Sequence, residues 1–132
     1  MTKRRAGLRL VISFAAVIVS LAIVAVAAFG VRNRVVFGEF FTADAPPRVD
    51  YCGRRYYPGN RTETLAQVQS SLAENGLAGL TQIDWSPSGM PVVTNVLSPA
   101  QKASFHTDVC TMILWVKTGP DAYLAYSLSG GP

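Results

Sequence analysis

Hydrophobic positions follow three successive patterns along this chain. From Leu10 to Val31 they are continuous: 22 residues contain no Asp, Glu, Lys, Arg or His, and Arg9 and Arg32 close the run. At a helical rise of about 1.5 Å per residue such a run covers roughly 33 Å, enough for a hydrocarbon core of roughly 30 Å. A transmembrane helix over 10–31 is therefore expected, behind a basic head at residues 1–9. From Arg32 to Arg48 the pattern breaks up. Val35-Val36-Phe37-Gly38-Glu39-Phe40-Phe41 is too short to span again, and its phenylalanines suit the headgroup boundary better than a first strand. Thr42 to Pro47 contains two consecutive prolines, which withhold backbone donors and force extension, so 32–48 reads as a juxtamembrane linker.

From Val49 the apolar positions alternate, with one interruption at helical period. Val49 to Cys52 reads as a strand broken by Gly53, and Arg54-Arg55-Tyr56-Tyr57 as its return, stopped at Pro58-Gly59. Asn60 and Glu63 have capping-box spacing, and Leu65, Val68 and Leu72 then share one helical face until Gly76. These features predict a helix over roughly 61–75. Leu80–Trp85 and Pro91–Leu97 read as a hairpin around Ser86-Pro87-Ser88-Gly89. A helical turn over Pro99–Ser104 follows. Val109–Lys117 and Ala122–Leu128 form a second hairpin around Thr118 to Asp121. Sequential hairpins imply an antiparallel sheet of about four to six short strands with one helix laid across it, a small α+β domain over 49–132. Ile83, Trp85, Val93, Met112, Leu114 and Leu124 are the candidates for its covered face.

Charge changes the picture by where it lies. The formal net charge is +4, and all of it falls before residue 45, where six cations face Glu39 and Asp44; after that point Arg and Lys balance Asp and Glu. The basic excess belongs to the membrane flanks, and the domain has no electrostatic footprint for nucleic acid. Lys3, Arg4, Arg5 and Arg9 crowd the upstream side of the run, while Arg32, Arg34 and Arg48 are spread downstream, which favours a cytoplasmic N-terminus. The apolar run is longer than a signal-peptide core, which favours a retained signal anchor. Ala25-Val26-Ala27 nevertheless has the small-x-small form of a cleavage site, and cleavage there would release a secreted domain.

Cys52 and Cys110 are the only cysteines. Two cysteines in a small domain outside the cytoplasm read as one disulfide, stabilising by on the order of 4 kcal/mol through loop closure. The pair supports the same orientation as the charges.

The candidate chemistry is thin. His106, Asp108 and Cys110 alternate like a metal-ligand trio, but a disulfide removes the thiolate and a fourth ligand is lacking. Ser104, His106 and Asp108 lie too close along one segment to line up as nucleophile, base and orienter. No phosphate loop, HExxH or GxSxG is present, and no cofactor is implied. Tyr51, Arg54, Arg55, Tyr56 and Tyr57 form the densest aromatic and cationic cluster, a composition suited to gripping a protein or stacking on sugar rings. Ordinary strand composition, with one tyrosine buried, is the competing reading. The expected function is that of a single-pass membrane protein with a non-catalytic extracytoplasmic binding domain, whose partner is a protein or a cell-wall polymer. The alternatives are an inhibitor-like secreted domain and, more remotely, a small hydrolase using His106.

Overall fold

The computed structural model describes residues 2–40, 44–97, 99–104 and 110–128. Helix α1 runs from Thr2 to Phe37, well past the end of the uncharged run. Its Ser13–Phe37 portion contains an 18-residue window of mean hydropathy 2.7 and is long and apolar enough to cross a membrane. The helix stops where Gly38 turns left-handed at φ 87°, and the Arg34 guanidinium donates to the Gly38 carbonyl. The positive φ favours glycine here, and a Cβ on Gly38 would also crowd Cγ of Arg48 at 3.2 Å.

The chain then forms β1 (Val49–Tyr51), β2 (Arg54–Glu63), α2 (Leu65–Glu74), β3 (Ala78–Trp85), β4 (Pro91–Val96), α3 (Pro99–Ser104), β5 (Ile113–Gly119) and β6 (Ala122–Leu128). The six strands make one sheet in the order β1-β2-β6-β5-β4-β3, antiparallel at every pairing. This is the α+β architecture the sequence predicts. Its closing hairpins form as expected, β3–β4 around a turn in which the Gly89 amide donates to the Ser86 carbonyl at 2.9 Å.

Two local expectations give way. Pro58 and Gly59 do not stop β2. The register with β6 shifts between Pro58 and Thr62, so the strand passes through an irregularity and resumes at Thr62–Leu124 and Glu63–Tyr123. Because Asn60 to Glu63 stay in the strand, they cannot cap a helix. Thr64 does so instead: its hydroxyl accepts from the Gln67 amide at 3.3 Å, and the Gln67 side chain accepts from the Thr64 amide at 2.8 Å. The Asp121 carboxylate adds a third anchor by accepting from Leu65 N–H at 2.7 Å. β5 also starts later than predicted, at Ile113, leaving Cys110 outside the strand. His106 and Asp108 lie outside the described residues.

Alternation along the central strands feeds two cores, one on each face of the sheet. On one face Val68 and Leu72 of α2 pack over Val93, Trp115 and Tyr123. On the other, Val49, Tyr56, Val92, Leu114, Val116 and Tyr126 close around Phe37 from the last turn of α1. The predicted covered face therefore mixes two faces. Val93 lies under α2, whereas Ile83, Leu114 and Leu124 belong to the Phe37 side. Trp85 and Met112 are covered by neither, at 55% and 69% exposure.

Phe37 is completely buried and so cannot lie among headgroups as the sequence suggests. The residues after it are also fastened to the domain. Tyr126 O–H donates to the Pro46 carbonyl at 2.6 Å, Asn33 Nδ2 to the Phe40 carbonyl at 3.1 Å, and Arg48 Nη2 to the Val35 carbonyl at 2.9 Å. These bonds and the burial of Asn33 and Pro46 make much of the 32–48 stretch part of the packed domain.

Candidate interaction surface

The Tyr51–Tyr57 segment is a hairpin. Cys52 (φ 56°) and Gly53 (φ 70°) are the two central residues of its turn, since Tyr51 pairs with Arg54. Positive φ at both central positions matches the twist of the flanking strands. A non-glycine residue at such a position is strained, and here it is the residue covalently anchored, by a disulfide to Cys110 across a Cα–Cα distance of 5.9 Å. The bond ties the hairpin tip to the segment leading into β5. It also consumes Cys110 as a thiolate ligand. Ser104 donates its hydroxyl to the Gln101 carbonyl at 2.8 Å within α3. Among the described residues no group of three or more His, Cys, Asp and Glu is placed to hold a metal ion.

The strand period divides the aromatic and cationic cluster. Tyr56 is fully buried and donates its hydroxyl to the Thr111 carbonyl at 2.6 Å, so it is a core residue with a satisfied polar tip. Tyr51 is half-buried against the same core. Arg54, Arg55 and Tyr57 are exposed. By alternation Arg55 and Tyr57 share the face opposite Tyr56. Asp50 pairs directly across from Arg55, with the Arg55 Nε to Asp50 Oδ2 distance at 3.7 Å, and Ser127 lies across from Tyr57.

That face is the one on which α2 lies, and the register extends the exposed surface towards the helix. Tyr57, Ser127 and Ile113 stand in one cross-strand row. Ile113 floors an open groove of about 740 Å³ between α2 and the sheet, walled by Gln67, Ser71 and Glu74 on the helix and by Arg61 on β2. Trp115 also lines it, its indole N–H donating to Glu63 Oε2 at 3.0 Å while Arg61 pairs with Glu63 Oε1 at 3.0 Å. Met112 stands exposed at the rim. The arrangement offers hydrogen-bonding tips, one cation and an apolar floor, a combination suited to binding. Arg61 and Met112 are additions to the predicted cluster. They are hard to find from sequence because Arg61 reads as part of a helix and Met112 as core.

Comparison with protein-family models, with curated proteins and with solved structures finds no match to this chain.

Proposed function

We propose that this chain is a single-pass, membrane-anchored, non-catalytic binding protein, with its N-terminus in the cytoplasm and its disulfide-bonded domain outside. Its partner is a protein or a cell-wall polymer. The observation that carries the reading is the combination, in one chain, of the apolar α1 and the Cys52–Cys110 disulfide, since such bonds persist in oxidising compartments. The charge asymmetry about the 10–31 run supports the same direction. Retention of α1 rather than cleavage near Ala27 is supported by the length of the 10–31 apolar run, which exceeds a signal-peptide core.

The contact surface in this reading is the α2-side face of the β1–β2 hairpin, Arg55 and Tyr57, continuing into the α2 groove, while Arg54 is exposed on the Tyr56 side. Tyrosine and arginine give large contact area with polar tips and dominate binding energy where they cluster. Two measurements test the reading. Intact cells treated with a reductant and then a membrane-impermeant maleimide label Cys52 and Cys110 if the domain is outside; labelling only after lysis overturns the orientation. A photo-crosslinking residue replacing Tyr57, in the protein's own membrane, should yield discrete adducts that the same group at Gln82 on the opposite sheet edge does not. Absence of adducts at Tyr57, or identical adducts from both sites, overturns the surface.

A further inference from the structure

The end of α1 packs directly against the domain. Gly30, Asn33 and Phe37 are all buried, and their spacing of three and four puts them on one side of the helix. Burial on this side of the helix therefore begins at Gly30, inside the 10–31 apolar run. Arg32, the first charged residue beyond that run, holds Asp84 at the end of β3, with Nη2 at 2.5 Å from Oδ2 and 2.7 Å from Oδ1. At a rise of about 1.5 Å per residue, the β3–β4 turn is pinned within a fraction of a helical turn of the point where the apolar run ends.

Trp85 follows Asp84 and is 55% exposed. The turn that carries it is tightly tied. Trp85 N–H donates to Asp84 Oδ1 at 2.8 Å, Met90 N–H to the hydroxyl of the buried Ser86 at 3.0 Å, and the Ser88 hydroxyl to the Asp44 carbonyl at 3.3 Å. An indole held open to water in so fixed a setting loses hydrophobic stabilisation unless something apolar covers it. Around the same helix exit, Phe40 is 53% exposed with the Arg34 guanidinium 5.9 Å from its ring centre. Aromatic rings and arginines at the end of an apolar helix are what a bilayer interface favours, the rings for the headgroup level and the cations for anionic phosphates.

We infer that Trp85 is a membrane-interface anchor, inserted among the phospholipid headgroups of the bilayer that α1 enters, so that the domain sits directly on the lipid surface in one orientation. Phe40, Arg32 and Arg34 complete the collar. The inference rests on the proposed membrane span of α1. It goes beyond that reading by replacing a swinging domain with a seated one, whose binding surface is presented at a fixed attitude to the membrane.

The full-length chain in phosphatidylcholine–phosphatidylglycerol vesicles provides the test, using lipid chains brominated near the headgroup or near the bilayer centre. The chain has two tryptophans, Trp85 and the buried Trp115, so the emission lost in Trp85→Phe isolates the residue of interest. The expected result is strong quenching of that component by the shallow bromines and little by the deep ones, with protein that resists alkaline carbonate extraction. Protein that resists extraction but shows no quenching of the Trp85 component overturns the seat, leaves the span standing, and shifts the cover of Trp85 to a protein partner. Protein released by carbonate overturns the span and the seat together.

Discussion

The two faces of the sheet solve the same burial problem with different material. On one, α2 is a local solution: the helix is connected directly to β2 and β3, starts at its own capping box, and lays Val68 and Leu72 on Val93, Trp115 and Tyr123. On the other, the cover is borrowed from the long apolar helix α1. Phe37 ends α1 and joins a buried cluster from β1, β2, β4, β5 and β6, and the Pro46 carbonyl that follows accepts from Tyr126 O–H. The first face makes a domain that folds on its own helix. The second draws its cover from the last turn of the long apolar helix, so the packing of the sheet depends on a residue outside the strands and α2.

The strongest way to break that comparison is to empty the borrowed side. Phe37→Ala removes a fully buried phenylalanine and is expected to cost about 3–5 kcal/mol. Leu72→Ala on the other face is expected to cost a comparable amount, about 2–5 kcal/mol. Urea unfolding of the full-length chain in detergent micelles, followed through near-UV circular dichroism, measures both. A Phe37→Ala cost below that of an exposed substitution would mean that the α2 face alone carries the fold.

The disulfide acts at the end of the comparison where the hairpin tip meets the entry to β5. Replacing Cys52 and Cys110 together by serine opens a loop spanning a sequence separation of 58. The expected loss is about 4 kcal/mol through denatured-state entropy. It should appear equally in wild type on adding reductant, read as a lowered unfolding midpoint and a change in electrophoretic mobility.

How far the sequence discloses this molecule depends on whether a pattern has one physical solution or two. The two closing hairpins and the paired cysteines have one, and they form as expected. Phe37 has two: an apolar residue beside a membrane helix is stabilised equally by lipid and by a protein core, because hydrophobic burial is non-directional. The start of α2 also has two, since Asn60–Glu63 and Thr64–Gln67 both offer capping spacing, and only pairing of Thr62 and Glu63 with β6 decides between them. The candidate surface is half legible. Its composition marks the Tyr51–Tyr57 segment, but strand alternation sends Tyr56 inward and leaves Arg54, Arg55 and Tyr57, and the adjoining groove exists only once α2 is placed.

A smaller effect sharpens the borrowed face. The Tyr126 hydroxyl is buried, and its pKa lies well above the ordinary 10.0, chiefly through desolvation and secondarily through the Glu39 carboxylate. A raised folded-state pKa means that the phenol's contribution to stability is complete below 10.0 and declines as the pH rises above it, because the unfolded chain releases the proton first. The decline attributable to Tyr126 should approach about 1.4 kcal/mol per pH unit. Tyr126→Phe should cost about 1 kcal/mol at neutral pH through the lost bond to Pro46 and should flatten the alkaline limb. An alkaline limb unchanged in the variant would place the titration elsewhere.

The smallest expected effect belongs to the Arg32–Asp84 pair, whose side chains are 45% and 28% exposed in the isolated chain. A double-mutant cycle with Arg32→Gln and Asp84→Asn in micelles should give a coupling of about 0.2–1 kcal/mol, falling as salt is added. The same cycle in phospholipid vesicles separates two pictures of how α1 meets the sheet. A pair bathed in water on both sides keeps the small, salt-sensitive value, and then the buried Phe37 and the Arg48–Val35 bond hold the helix to the domain without it. A pair pressed against the headgroup layer loses water, so its coupling should grow and its salt dependence shrink, because screening and solvation both weaken where water is excluded. Growth of the coupling from micelle to bilayer would therefore make the β3–β4 turn a second lock, one that tightens when the membrane is present.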